Sequence, residues 1–131
     1  MDKHQGSGRG TVLVVEDEPG VRRAVVRMVV RLGFDVLETD DGVEAVTWLR
    51  DHPGETTAVL LDLQMPELDG ATALVEFRRI EPALPVLVLS GYAPEDAGGL
   101  LGDTTPAAYI QKPFTAEELK DALDGALHRA G

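Results

Sequence analysis

The sequence contains no cysteine, which excludes a disulfide framework, a thiolate nucleophile and any cysteine-ligated metal. Basic charge is scarce. Lys and Arg number 12 against 23 Asp and Glu, for a formal net charge of −11 and a pI near 4.5. A chain this acidic is repelled by the phosphates of nucleic acid and by anionic membrane, so neither is expected as a direct partner. Long apolar runs are missing too. The longest, at 12–15 and 86–89, are a few residues each, whereas a membrane helix needs about 20. Residues 1–10 are polar and glycine-rich, without the apolar core of a secretory leader. Cytoplasmic residence is the expectation.

What is present is an ordinary globular composition, 44% hydrophobic and 27% charged over 131 residues. A chain of this length buries roughly two-thirds of the surface its unfolded form exposes, enough for one domain held by its own core. Residues 1–10 read as a flexible tail or linker and 11–129 as the domain. Gly6, Gly8 and Gly10 do not read as a nucleotide loop. Such a loop follows a strand and opens a helix, and these glycines precede the first strand.

Five short runs rich in Val, Leu and Ile follow, at 11–15, 35–38, 58–61, 85–89 and 107–110. Several are apolar at consecutive positions, the pattern of strands covered on both faces. Val21, Val25, Met28, Val29 and Leu32 form a stripe of helical spacing with Arg22, Arg23, Arg27 and Arg31 elsewhere on the surface, and Gly33 stops that helix. Asp40 or Asp41 caps a second helix. A third spans about 68–80, with Ala71, Leu74, Val75 and Phe77 as core candidates. Thr115 and Glu118 form a capping box for the last. Between 94 and 106, Gly98, Gly99 and Gly102 leave room for one short helix, since each glycine costs about 1 kcal/mol inside a helix relative to alanine. This alternation predicts an α/β fold: a doubly wound five-stranded parallel sheet with helices on both faces. Ligands of such folds sit beyond the carboxyl ends of the strands.

Those ends carry the chemistry. The first predicted strand runs into Glu16, Asp17 and Glu18, the third into Asp62, the fourth into Ser90 and Gly91, and the fifth is followed by Lys112 and Pro113. A parallel sheet gathers all of them at one edge. Clustered carboxylates repel one another, and a hard divalent cation such as Mg²⁺ relieves the repulsion. Asp62 in such a site is a candidate carboxylate nucleophile for phosphoryl transfer, with Lys112 neutralising the transferred group and Ser90 hydrogen-bonding it. Singly, each residue has a plainer reading. Asp17 and Glu18 can cap the first helix ahead of Pro19, Asp62 can cap its own, Ser90-Gly91 can be a turn and Lys112 a solvated lysine.

The run Asp62-Leu63-Gln64-Met65-Pro66-Glu67-Leu68-Asp69-Gly70 is matched in order by Glu16-Asp17-Glu18-Pro19 before it and by Ser90-Gly91-Tyr92-Ala93 and Tyr109-Ile110-Gln111-Lys112-Pro113-Phe114 after it. With these four blocks the sequence resembles the receiver domain of two-component response regulators, of flavodoxin-like (βα)5 fold, from about residue 11 to 129. The resemblance implies a phosphoacceptor domain, not an enzyme beyond its own phosphorylation and dephosphorylation. In it Asp62 takes a phosphoryl group from a phosphohistidine. Asp17, Asp62 and the backbone carbonyl of Gln64 hold Mg²⁺, with Glu16 acting through a coordinated water. Ser90 and Lys112 engage the phosphoryl oxygens, Lys112 also pairs with Asp62, Tyr109 is an aromatic switch coupled to Ser90, and the Lys112–Pro113 peptide is cis. The implied partner is a histidine kinase or histidine phosphotransfer domain. Glu16 stands where the family more often has Asp.

Three other readings compete, and a dinucleotide-binding oxidoreductase is excluded because it needs a glycine-rich first turn where this one is acidic. An aspartyl-phosphate phosphohydrolase needs a second aspartate two positions after the nucleophile, and Gln64 stands there. A degenerate receiver would bind partners without phosphate, but Asp17, Asp62, Ser90 and Lys112 are all present. The wording of the later blocks and the glycine-rich start favour the receiver of a hybrid histidine kinase, served by the same polypeptide's kinase core, over a stand-alone regulator. The region 94–106 has almost no basic residue, so a monomer or weak dimer is expected.

Overall fold

A computed structural model describes residues 1–63, 65, 70–101 and 105–130. Among them the chain forms six strands and five helices: β1 (Asp2–His4), β2 (Thr11–Val15), α1 (Pro19–Arg31), β3 (Asp35–Thr39), α2 (Gly42–Asp51), β4 (Ala58–Asp62), α3 (Gly70–Ile80), β5 (Val86–Ser90), α4 (Pro94–Leu101), β6 (Ala108–Gln111) and α5 (Ala116–Ala130). The sheet order is β1-β3-β2-β4-β5-β6. From β3 to β6 every pairing is parallel, as the consecutive apolar runs predict.

The period of two along each strand divides the core in two. Leu13, Val15, Val59, Leu61 and Val88 face α2, α3 and α4, where they meet Leu49, Leu74, Phe77 and Ala97. Val12, Val14, Leu60, Leu87 and Leu89 face α1 and α5, where they meet Val25, Val29, Leu119 and Leu123. All five residues of β4 and of β5 are buried. The buried stripe of α3 is Gly70, Ala73, Leu74 and Phe77. Ala71 and Val75, expected in the core, flank that stripe and are only partly covered.

Local signals at the helix ends hold in part. The Asp41 carboxylate accepts from the amides of Val43 and Glu44. Thr115 Oγ1 accepts from the Glu118 amide while the Glu118 carboxylate accepts from the Thr115 amide, each at 3.1 Å. Glu18 occupies the cap position of α1, with Pro19 next, yet its side chain makes no capping bond. The capping reading of Glu18 therefore fails. The short helix expected after residue 94 is α4. Leu68, the expected start of the third helix, and Gly102 lie outside the described residues.

The sheet has six strands rather than the expected five, the extra one lying in the segment before residue 11. Asp2–His4 pairs antiparallel with β3, matching Asp2 to Glu38 and His4 to Val36. Beyond it the Gly6 amide donates to Asp35 Oδ1 at 2.8 Å, the amides of Ser7 and Arg9 donate to the Gly33 carbonyl, and the Arg9 guanidinium stacks 4.4 Å over the Phe34 ring. The physical reason is the open edge of β3, whose unpaired amides and carbonyls accept a further strand. Gly6 lets the segment lie close, since a Cβ there would come within 2.2 Å of the Phe34 carbonyl oxygen.

Phe77 is fully buried among the residues of the α2–α4 layer. Phe77→Ala is expected to cost about 3–5 kcal/mol. In urea unfolding this should appear as a lower midpoint with an unchanged slope.

Candidate functional site

Register places the site. Val15 pairs with Leu61, Asp62 with Leu89, and Ser90 with Gln111, so Glu16, Asp62, Ser90 and Lys112 leave the sheet at one edge. Glu16 is wholly buried, Asp62 is 4% exposed and Ser90 1%. One carboxylate oxygen from each of Glu16, Asp17 and Asp62 lies within 4.8 Å of the others. Lys112 reaches into this cluster, with Nζ 2.6 Å from Glu16 Oε1 and 3.6 Å from Asp62 Oδ1. The extra methylene of Glu16 is thus used against lysine, and the second oxygen accepts from the Glu18 amide at 3.4 Å. The Lys112 amide donates to the Ser90 carbonyl at 2.6 Å, joining the ends of β5 and β6, and the Lys112–Pro113 peptide is cis.

Burial by itself would lower the Lys112 pKa. The hydrogen bond and charge of Glu16, then the charge of Asp62, outweigh it and hold the ammonium above its ordinary 10.5. Among the described residues one ammonium faces three carboxylates, an arrangement that favours a further cation. The donor set is all oxygen, which suits Mg²⁺ rather than a softer metal. Gln64, the expected backbone ligand, lies outside the described residues.

Ser90 and Tyr109 meet through Tyr92. Ser90 Oγ accepts from the Tyr92 amide at 3.1 Å, and the Tyr109 hydroxyl donates to the Tyr92 carbonyl at 2.7 Å. Two residues have structural roles beyond what their sequence positions suggested. Gly70 donates its amide to the Leu63 carbonyl at 2.8 Å, and a Cβ on it would fall 2.5 Å from Leu63 Cα. It ties the start of α3 to the end of β4. Arg22, expected on the surface, donates from Nη1 to the Glu16 carbonyl at 2.9 Å and from Nε to Glu38 Oε1 at 2.9 Å. Only its place one turn into the helix after the acidic turn hinted at this.

The sequence profile of the response regulator receiver domain matches residues 12–124. The chain belongs to the response regulator receiver domain family. It is 36% identical over 123 residues to the sensor kinase CckA of Brucella abortus, covering 94% of this chain and 13% of that protein. It is 36% identical over 121 residues to the response regulator MprA of Mycobacterium leprae, covering 90% of this chain and 51% of that one. The chain therefore spans about half of one of these relatives and about an eighth of the other. The receiver domain of the sensor histidine kinase PA1611 from Pseudomonas aeruginosa superposes with a TM-score of 0.83 at 28% identity, over 91% of this chain and 98% of that one. That domain is described with a magnesium ion coordinated in its active site cleft. A receiver domain is a two-component signalling domain rather than a classical enzyme. In this receiver no helix among the described residues is long and apolar enough to cross a membrane.

Two outcomes follow for stability. Gly70→Ala should destabilise by about 1–3 kcal/mol, because backbone rather than a flexible side chain blocks the new methyl. Chemical denaturation reads this. Lys112→Met leaves the buried Glu16 carboxylate without its cation and should cost about 3 kcal/mol in the absence of divalent ions. Because the folded pKa of Lys112 is raised, its contribution is present in full below 10.5 and is lost as pH climbs through the folded value. The gap between wild type and variant should therefore persist through neutral and mildly alkaline pH and close above 10.5. Added Mg²⁺ should narrow it. Thermal melts across pH, with and without MgCl₂, test both.

Proposed function

We propose that Asp62 is the phosphoacceptor of this receiver and that Glu16, Asp17, Asp62 and the backbone carbonyl of Gln64 hold Mg²⁺. The observation that carries the reading is the Asp62 carboxylate at the end of β4, ringed by the oxygens of Glu16 and Asp17 and by the Lys112 ammonium. In the transfer an Asp62 oxygen attacks the phosphorus of a phosphohistidine. The P–N bond breaks, a P–O bond forms and the imidazole leaves. Bound Mg²⁺ would offset charge on the transferring oxygens. Lys112 supplies the fixed positive charge beside them, and its raised pKa keeps it protonated at neutral pH.

Ser90 and Tyr109 convert that event into a surface change. Ser90 Oγ gives up its bond from the Tyr92 amide to donate to a phosphoryl oxygen. Tyr92 is also the residue that Tyr109 holds. Releasing one end of this three-residue link frees the other, so the phosphorylated form favours a new position of Tyr109. The chain catalyses only its own phosphorylation and dephosphorylation. Its donor is a histidine kinase or histidine phosphotransfer domain in the cytoplasm, including the kinase core of its own polypeptide, a reading that the likeness to a sensor kinase supports. The unit acts as a monomer or weak dimer, with residues 11–129 as the receiver proper and β1 as an added edge.

Intact-mass measurement after incubation with acetyl phosphate tests the assignment. Wild type with MgCl₂ should gain one phosphoryl group. Wild type without Mg²⁺ and Asp62→Ala with it should gain none. A gain that survives in Asp62→Ala would place the acceptor elsewhere.

A further inference from the structure

The outer edge of the sheet is wired to the acidic turn. Glu38 on β3 offers one carboxylate oxygen to Arg22 Nε at 2.9 Å and the other to the ring of His4 on β1. The same guanidinium donates from Nη1 to the Glu16 carbonyl at 2.9 Å. The side chains of Arg22 and Glu38 are 19% and 16% exposed, so this bridge is largely shielded from water. Arg23, Arg27 and Arg31 on the same helix are exposed and form no ion pair among the described residues. Arg22 alone of the four is built into the fold. Its planar fork serves two acceptors in fixed directions, which a lysine cannot do.

The acceptor on the inner side matters most. Glu16 begins the turn whose clustered carboxylates would repel one another. A guanidinium on the Glu16 carbonyl, anchored in turn to β3, holds the turn against that repulsion. We propose that Arg22 is a positioning residue for the acidic turn, and that β1, acting through His4 and Glu38, sets how firmly Arg22 holds it. The N-terminal strand thereby tunes Mg²⁺ affinity from outside the site. The inference rests on the Mg²⁺ reading of the pocket. Coupling is reciprocal, so Mg²⁺ binding must also protect β1 from opening.

Isothermal titration of the full chain with MgCl₂, paired with amide hydrogen exchange, tests this. Arg22→Met should weaken Mg²⁺ binding by about five-fold or more, the low end of ordinary coupling between sites. Arg22→Lys, able to serve one acceptor, should fall between. His4→Ala should weaken binding by about two-fold in the wild-type background and by nothing further in Arg22→Met, because the strand acts through Arg22. In wild type, Mg²⁺ should slow exchange of the β1 amides, and in Arg22→Lys that slowing should shrink. Should Arg22→Met not fold, the His4→Ala titration and the exchange data decide. Wild-type affinity retained in the arginine variants, or exchange in β1 indifferent to Mg²⁺, would overturn the proposal while leaving the pocket reading intact. A wild type that binds no Mg²⁺ would remove both.

Discussion

The buried pair of Glu16 and Lys112 is the interaction on which the site depends. A carboxylate without exposed surface is tolerable only beside a cation and hydrogen-bond donors. Glu16 has both: the ammonium at 2.6 Å on one oxygen and the Glu18 amide on the other. Because the two residues come from opposite halves of the chain, their bond clamps the turn after β2 to the turn after β6. The same ammonium lies 3.6 Å from Asp62, so the residue that stabilises the fold also places a positive charge beside that carboxylate. A third carboxylate, Asp17, tips the balance negative and makes the pocket receptive to a divalent cation.

The sheet makes this arrangement available. Parallel strands send their carboxyl ends the same way, and the crossover helices cover both faces. The polar ends can meet only at the rim. Short of their last residues, Asp62 and Ser90, β4 and β5 are apolar. β4 and β5 are buried along their length, and their packing against α3 and α5 holds the rim residues in place. Gly70 shows how close the tolerances are there, since the helix that follows Asp62 starts against the backbone of Leu63. Beside the pocket the Tyr92 backbone links Ser90 to Tyr109.

Much of this was legible. Five apolar runs named the strands to within a residue or two, because buried parallel strands need consecutive apolar residues. The Thr115–Glu118 box and the Asp41 cap were readable because capping is local chemistry at fixed spacing. Glu16, Asp17, Asp62 and Lys112 are legible from their places at the strand ends, and the structure brings these four together. The sixth strand was not legible. Asp2, Lys3 and His4 have no apolar alternation, and their pairing comes from the vacant edge of β3 rather than from their own preferences. Arg22 was misplaced for a related reason: it sits among arginines that do face water, and only the approach of Glu38 and the Glu16 carbonyl distinguishes it.

The sequence by itself determined the order of elements, the parallel sheet and the identity of the rim residues, because hydrophobic period and strand-end position are properties of the chain read along its length. Only the tertiary structure decided which carboxylate the lysine pairs with, that Glu18 leaves its helix uncapped, and that the first residues join the sheet. Each of these is a choice among several partners of equal chemistry. Distance in the folded chain makes the choice, and it depends on how separate segments pack rather than on any one of them.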